Sequence, residues 1–129
     1  MDRPETLTRW HQVVAAKDPT LLDALLADDA VFRSPAVHTP QEGKELTTSY
    51  LRAAVVVLGP TLTYQHEWYD DASAVLEFTA ELDGLSVHGI DMFRWDAAGR
   101  ITEFTVMVRP FKGLQKLMEL MLIQLVPES

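Results

Sequence analysis

The fold is indicated most clearly by the segment Val87-His88-Gly89-Ile90-Asp91-Met92-Phe93-Arg94-Trp95. A turn-forming segment, residues 96–100, follows directly, and residues 101–109 then form a second apolar segment. This pattern predicts an antiparallel hairpin. Asp91 is the exception within it, because a carboxylate inside an apolar strand is costly to bury as an anion. Such a group must be paired, hydrogen-bonded or protonated, which makes Asp91 the principal candidate for a functional residue.

Two more strands are predicted before this hairpin. Residues 62–69 and 74–83 alternate between apolar and polar side chains with a period of two. Asp83-Gly84, which follows them, is typical of a tight hairpin turn. We therefore expect about four antiparallel strands in a meander.

Helices surround these strands in the sequence. Apolar residues at spacings of three and four predict helices over residues 6–16, 44–58 and 111–125, and another that starts at Pro19 and is ended by Asp28-Asp29. A short extended segment at residues 30–34 and a loop through residue 43 separate the second helix from the third. The order predicts an α+β fold, with helices on one face of a curved antiparallel sheet, and a single domain over residues 1–129.

The bulk composition excludes several classes of partner. The 129 residues carry 19 acids and 11 bases, a formal net charge of −8, which disfavours nucleic acid and anionic membranes. No cysteine is present, and the four histidines lack metal-ligand spacing, so we expect neither a metal site nor a cofactor. No apolar run reaches the roughly 20 residues of a membrane span, and no signal-peptide pattern is seen. The expectation is a soluble cytoplasmic protein.

The residues and their order resemble the nuclear transport factor 2-like superfamily, which includes ketosteroid isomerase, SnoaL-type polyketide cyclases and limonene epoxide hydrolase. The resemblance is carried by residues 10–35, by Gly43-Lys44-Glu45, and by residues 89–110. It implies a cone-shaped barrel, in which a strongly bent sheet wraps around the N-terminal helices. It also implies an apolar cavity between the sheet and the helices.

The resemblance to ketosteroid isomerase places three residues at functional positions. Asp91 matches the protonated aspartic acid of that enzyme's oxyanion hole, Trp10 takes the place of its tyrosine, and Ser34 takes the place of its base. In apolar surroundings a neutral acid can donate a hydrogen bond to a carbonyl oxygen or to an enolate. The alternative is a buried acid satisfied by the backbone, Trp10 or Tyr50, without any turnover.

Further lining residues follow from the position of Asp91. The two-residue period brings Phe93 and Trp95 to the concave face with it, and the resemblance places Phe104 and Val106 there. The expected substrate-binding residues are Trp10, Ser34, Tyr50, Phe78, Phe93, Trp95, Phe104 and Val106. His38, in the loop after Pro35, is the candidate general base; otherwise it is a solvated loop histidine.

Some patterns leave alternatives open. His66 lies on a strand whose facing is ambiguous, whereas His88 is expected on the convex face. Ser34 and His38 have the elements of a nucleophile pair but lack an orienting acid. Four aromatic residues form either a box for a planar ligand or plain core: Trp10, Tyr50, Trp68 and Trp95.

The open sheet face suggests an association surface. It mixes methionine with charged residues, which predicts a homodimer through this face. The last helix either closes the cavity as a lid or adds to that interface. The predicted function is binding of a hydrophobic, carbonyl-bearing small molecule, with cofactor-free isomerase or cyclase chemistry if the protein is an enzyme. The alternatives are a non-catalytic binding or scaffold protein and a protein-interaction module.

Overall fold

The structure, a computed structural model, describes residues 2–125. Its helices are α1 (Glu5–Ala16), α2 (Leu22–Leu25, preceded by a 3-10 turn at Pro19–Leu21), α3 (Lys44–Leu58) and α4 (Phe111–Leu125). Its strands are β1 (Leu26–Arg33), β2 (Gln41–Glu42), β3 (Thr63–Tyr69), β4 (Ser73–Leu82), β5 (Leu85–Trp95) and β6 (Ile101–Arg109). Met1 and residues 126–129, which the single-domain prediction includes, lie outside the described residues.

The strands form one sheet in the order β2-β1-β6-β5-β4-β3. The predicted meander from β3 to β6 is confirmed, and its pairs are antiparallel. The turn between β4 and β5 has positive φ at both Asp83 (49°) and Gly84 (81°), as a two-residue hairpin turn requires. The helices lie against the inner face of the sheet and enclose one apolar core, so the predicted α+β class is confirmed.

The segment after α1 differs from its prediction. The second helix ends at Leu25, and β1 begins at Leu26 rather than at residue 30. Leu26 takes extended backbone angles and pairs in parallel with Ile101 of β6. The register then shifts before Val31, and Asp28 and Asp29 are exposed there. Pairing with β6, which the local sequence does not reveal, therefore overrides the helical pattern of the leucines.

A bulge in β3 decides which of its side chains face the interior. Tyr64 pairs with Phe78, but His66 pairs with Glu77, so one extra residue is inserted between them. His66 and Trp68 consequently lie on the outer face, and Trp68 is 57% exposed. The bulge resolves the ambiguous facing of His66 and removes Trp68 from any interior aromatic box.

Candidate functional site

Asp91 lies at the centre of β5, one of the two central strands of the sheet. It pairs with Leu76 of β4 and Val106 of β6, and both neighbours are buried. The side chain faces inward and is only 5% exposed. Gly89, two residues earlier, leaves space for the Phe78 ring, because a Cβ there would come within 2.7 Å of its Cζ. The sequence-based expectation of an acid in an apolar interior is met geometrically.

Tyr64 is the hydrogen-bond partner of this acid. Its hydroxyl donates to Asp91 Oδ2 over 2.6 Å, and Trp10 Nε1 donates to the same hydroxyl oxygen over 2.9 Å. The three side chains come from β3, β5 and α1 and form a chain of hydrogen bonds that we call the interior relay. Each donor in the relay is thereby assigned to one acceptor.

Burial controls the titration of the relay. Burial raises the pKa of Asp91 from 3.8 to about 7, and the hydrogen bond from Tyr64 opposes this increase without cancelling it. The pKa of Tyr64 is also well above its usual value, first because of burial and then because of the nearby Asp91 carboxylate. Below neutral pH, the relay therefore contains a neutral phenol and a largely neutral carboxylic acid, and near pH 7 the acid is about half ionised.

The relay lies against a small apolar hollow, which we call the Asp91 hollow. Its volume is about 20 Å³, room for roughly one water molecule. It is lined by Trp10, Val14, Leu51, Ala54, Val55, Leu58, Gly59, Leu62, Tyr64, Asp91, Phe104 and Val106. The cavity expected from the sequence is thus apolar but much smaller than the 300–1,000 Å³ or so of typical ligand sites.

A second hollow, the α4 pocket, lies between α4 and the loop that follows β1. Its volume is about 140 Å³. It is lined by Ser34, Pro35, Ala36, Val37, Tyr50, Leu117, Met118, Met121, Leu122 and Leu125. The two hollows share no lining residue.

A family model described as a SnoaL-like domain matches residues 7–104. The chain belongs to the SnoaL-like domain family. No curated protein matches the chain.

Solved structures with a similar fold cover most of the chain. A steroid delta-isomerase from Pseudomonas aeruginosa is 41% identical, with a TM-score of 0.89 over 94% of this chain and 89% of that one. An uncharacterised bacterial protein with a cystatin-like fold from Silicibacter pomeroyi is 28% identical, with a TM-score of 0.85 over 92% and 84%. The epoxide hydrolase/cyclase-like enzyme SalBIII, at 16% identity and a TM-score of 0.66 over 84% and 91%, shows the shared fold alone.

The predicted site residues of this SnoaL-like domain divide into three groups. Trp10, Phe104 and Val106 line the hollow next to Asp91, as expected. Ser34 and Tyr50 line the α4 pocket instead. The rest are packed as core: Phe78, Phe93 and Trp95.

Two of the core assignments have visible physical reasons. Phe93 stacks on Phe104 with ring centroids 5.1 Å apart and planes within 4°. Trp95 directs its indole N–H away from the acid, to the Asp71 carbonyl at 3.0 Å. The aromatic residues of β5 therefore support the strand that holds Asp91 and do not border its hollow.

His38 is placed apart from the acid for which it was the expected base. It is exposed on the loop after β1, and it lines neither hollow. Ser34 is the other member of the suggested nucleophile pair. Its hydroxyl oxygen accepts a hydrogen bond from the Ala36 backbone N–H at 3.0 Å. Within residues 2–125, no group of three or more potential ligands is arranged to hold a metal ion, and no helix could span a membrane.

Tyr64 is the candidate site residue that sequence reasoning missed. The alternation of β3 groups Tyr64 with His66 and Trp68, and only the bulge separates its facing from theirs. Tyr64 is also supported from the side, because the His11 ring packs edge-on against it at 5.3 Å. His11 is held by Glu67 at 2.9 Å, which Arg3 contacts as well. The sequence carries no local sign of the bulge, so it gives no signal that Tyr64 faces the interior.

The outer face of the sheet carries a second cluster around a carboxylate. The Glu77 carboxylate forms hydrogen bonds with His66 Nδ1 and His88 Nε2, each at 2.8 Å. These hydrogen bonds lower the pKa of Glu77, with His88 as the larger cause. The expected position of His88 on the convex face agrees with this geometry.

Proposed function

We propose that this SnoaL-like domain binds an apolar small molecule through a carbonyl oxygen, which accepts a hydrogen bond from Asp91 in its neutral form. The observation that carries the proposal is that only one of the two carboxyl oxygens of Asp91 has a hydrogen-bond partner. Oδ2 is occupied by Tyr64. Oδ1 has no hydrogen-bond partner among residues 2–125. Among those residues, every fully buried side-chain nitrogen or oxygen atom has a partner, so the unpaired Oδ1 is not fully buried. Asp91 lines the hollow, and Oδ1 is therefore accessible from it.

The relay supports a specific position for the acid proton. Because Oδ2 accepts the Tyr64 proton, the proton of the neutral acid is favoured on Oδ1, pointing into the hollow. A donor held this way in surroundings of low dielectric gives a stronger hydrogen bond than one in water. A carbonyl oxygen fits the water-sized volume in front of it.

The apolar body of the ligand requires a wider opening than the closed structure has. Besides Tyr64, the half-buried residues around the hollow are Val14 at the end of α1, Ala54 on α3 and Leu62 before β3. They carry no charge, so separating them exposes only apolar surface to an apolar ligand. We infer that the ligand passes between the ends of α1 and α3, with its oxygen innermost.

Binding of matched ligands tests the proposal. The probes are an enone steroid and the same steroid without its ketone oxygen, titrated by calorimetry into the full chain. We expect only the ketone to depend on Asp91, and its affinity to fall about tenfold per pH unit above pH 7 as the acid ionises. Asp91→Leu should remove the preference for the ketone. Equal affinity for the two steroids, or no pH dependence, would contradict the proposal.

A second candidate is cofactor-free isomerisation by proton transfer, favoured by the 41% identity to a steroid delta-isomerase. Among the described residues, Asp91 and Tyr64 are the only ionisable side chains that line the hollow, so Asp91 itself would have to move the proton. As a base it must be ionised, so activity on an unconjugated ketosteroid would rise through pH 7. The opposite pH dependences separate a base from a hydrogen-bond donor, and Asp91→Asn should abolish turnover.

The assembly is also a proposal: a homodimer through the outer face of the sheet. That face includes Met107, which is 50% exposed, beside charged side chains such as Arg94 and Arg109. Burying such a face against a second copy removes apolar surface from water. Met107→Glu should convert a dimer into a monomer in light scattering coupled to gel filtration; a wild-type chain that is already monomeric would exclude the dimer.

A further inference from the structure

We propose that the α4 pocket is a separate binding site for a neutral molecule with a single aromatic ring and a hydroxyl group, that is, a phenol. The site is independent of Asp91 and goes beyond the function proposed above. Its volume, its uncharged walls and its two available hydroxyl groups support this assignment.

The volume of the pocket matches one ring. At about 140 Å³ it is close to the size of an apolar protein cavity, roughly 150 Å³, that accepts benzene. The Asp91 hollow, at about 20 Å³, is too small for a ring without rearrangement. The α4 pocket, which is partly open to solvent at exposed residues such as Leu122 and Met118, has room for one aromatic ring in the structure as it stands.

The walls of the pocket favour a neutral, flat ligand. None of its ten lining residues is charged. Met118 and Met121 come from α4, and methionine side chains adapt their shape and make favourable contacts with aromatic rings. A charged ligand would lose its hydration there without gaining an ionic partner.

Two hydroxyl groups supply the polar contacts. The Tyr50 hydroxyl has no hydrogen-bond partner among residues 2–125, and its ring is held by stacking on Phe32 at 5.1 Å. Ser34 accepts the Ala36 N–H, but its own hydroxyl proton is not donated to any residue in that range. A ligand hydroxyl can therefore accept from one of these groups and donate to the other.

An aromatic stack separates this pocket from Asp91. Phe32 lies between Tyr50, which lines the α4 pocket, and Phe104, which lines the Asp91 hollow. Leu51, the residue after Tyr50 on α3, faces the Asp91 hollow instead. Occupation of the two sites can therefore be measured independently, and failure of one proposal leaves the other standing.

Methionine methyl groups offer a direct test in the intact chain. The protein is labelled with ¹³C at the methionine methyls and titrated with p-cresol, with toluene as the matched probe that lacks the hydroxyl. We expect saturable shifts of the Met118 and Met121 signals. Met92 and Met107, on the outer face of the sheet, serve as internal controls and should not shift.

Variants locate the site and assign its polar contacts. Leu122→Trp should fill the pocket and abolish the shifts, whereas Ile123→Trp, the next residue on α4 and not a lining residue, should leave them intact. Ser34→Ala and Tyr50→Phe should each weaken p-cresol binding about fivefold and leave toluene binding unchanged, as expected for one lost hydrogen bond.

Three results would overturn the proposal. The first is equal, non-saturating shifts of Met92, Met107, Met118 and Met121, which means nonspecific contact. The second is p-cresol binding that Leu122→Trp leaves unaffected. The third is a shift of Met118 and Met121 that depends on protein concentration without ligand, which would mean that a second copy of the chain covers the pocket.

Discussion

Asp91 and Glu77 are carboxyl groups on neighbouring strands of the sheet, and their pKa values are shifted in opposite directions. Asp91 pairs across the strands with Leu76, the residue before Glu77, so the two acids are one position apart on opposite faces. Both accept hydrogen bonds from side chains, one from Tyr64 and the other from His66 and His88. Yet the pKa of Asp91 is raised to about 7 and that of Glu77 is lowered.

The opposite directions of the two pKa shifts are explained by the different exposure of the two carboxyl groups to solvent, since both accept hydrogen bonds. On the inner face, loss of hydration disfavours the Asp91 anion by more than one hydrogen bond can recover. On the outer face, Glu77 remains hydrated, so the hydrogen bonds from the two histidines decide the direction. A strand thus supplies two acids of opposite character simply by alternating its faces.

The largest effect is expected when Asp91 is made unable to ionise. Since its pKa is raised from 3.8 to about 7, the folded state keeps a proton that the unfolded chain releases, and stability falls as pH rises from about 4 to 7. The shift corresponds to about 4 kcal/mol of stability, which Asp91→Asn should not lose. Urea denaturation of both proteins at pH 4 and pH 8 measures the gap.

A matched exposed acid controls for the change of net charge in this experiment. Asp71 is exposed in the turn between β3 and β4, and its side chain has no partner among the described residues. Asp71→Asn should therefore follow the pH profile of the wild type. If Asp91→Asn and wild type lost the same stability between the two pH values, the acid would not be held neutral by burial.

The second effect comes from Tyr64→Phe. This variant leaves the Trp10 N–H without its acceptor and Asp91 without its donor, which should cost about 1–3 kcal/mol of unfolding free energy. It should also raise the pKa of Asp91 further, because the Tyr64 hydrogen bond favours the anion. Denaturation at pH 5 measures the first effect, and a ¹³C carboxyl titration measures the second.

Tyr50→Phe is the control for this change, because the Tyr50 hydroxyl has no partner among residues 2–125. It should alter stability by less than about 0.5 kcal/mol, as is usual away from buried interactions. An Asp91 pKa that stays constant in Tyr64→Phe would show that the relay does not act on the acid.

The acid itself could be predicted from the sequence, whereas its partner could not. A charged residue in an apolar, alternating strand marks Asp91 by local pattern alone, and the same period places Phe93 correctly inside. Tyr64 depends on a bulge that changes the facing of β3 after that residue. A bulge is set by pairing with β4, so strict alternation gives the wrong face for half of the strand.

The predictions for the start of β1 and for the position of Ser34 were wrong for a related reason. Leu26 continues a helical spacing of leucines, but its parallel pairing with Ile101 joins residues 75 apart in the chain. Ser34 leaves the sheet after β1 and reaches the α4 pocket, because α4 packs over that loop. Local patterns predict which elements exist, and long-range packing decides which hollow a side chain lines.

The smallest effect is expected on the outer face, from Glu77→Gln. Because the pKa of Glu77 is lowered below its usual 4.5, its contribution to stability is present above that value and is lost as pH falls through the folded pKa. The variant should be slightly less stable than wild type at pH 7 and equal to it in strong acid. This is the opposite sign to Asp91→Asn, and added salt should reduce the difference since the site is hydrated.

Glu81→Gln is the matched control. Glu81 lies on the same strand and face, and its side chain has no partner among the described residues, so this variant should show no such pH dependence in the same urea titrations. A Glu77→Gln gap that widened in acid would mean that hydration does not decide the direction of these two shifts.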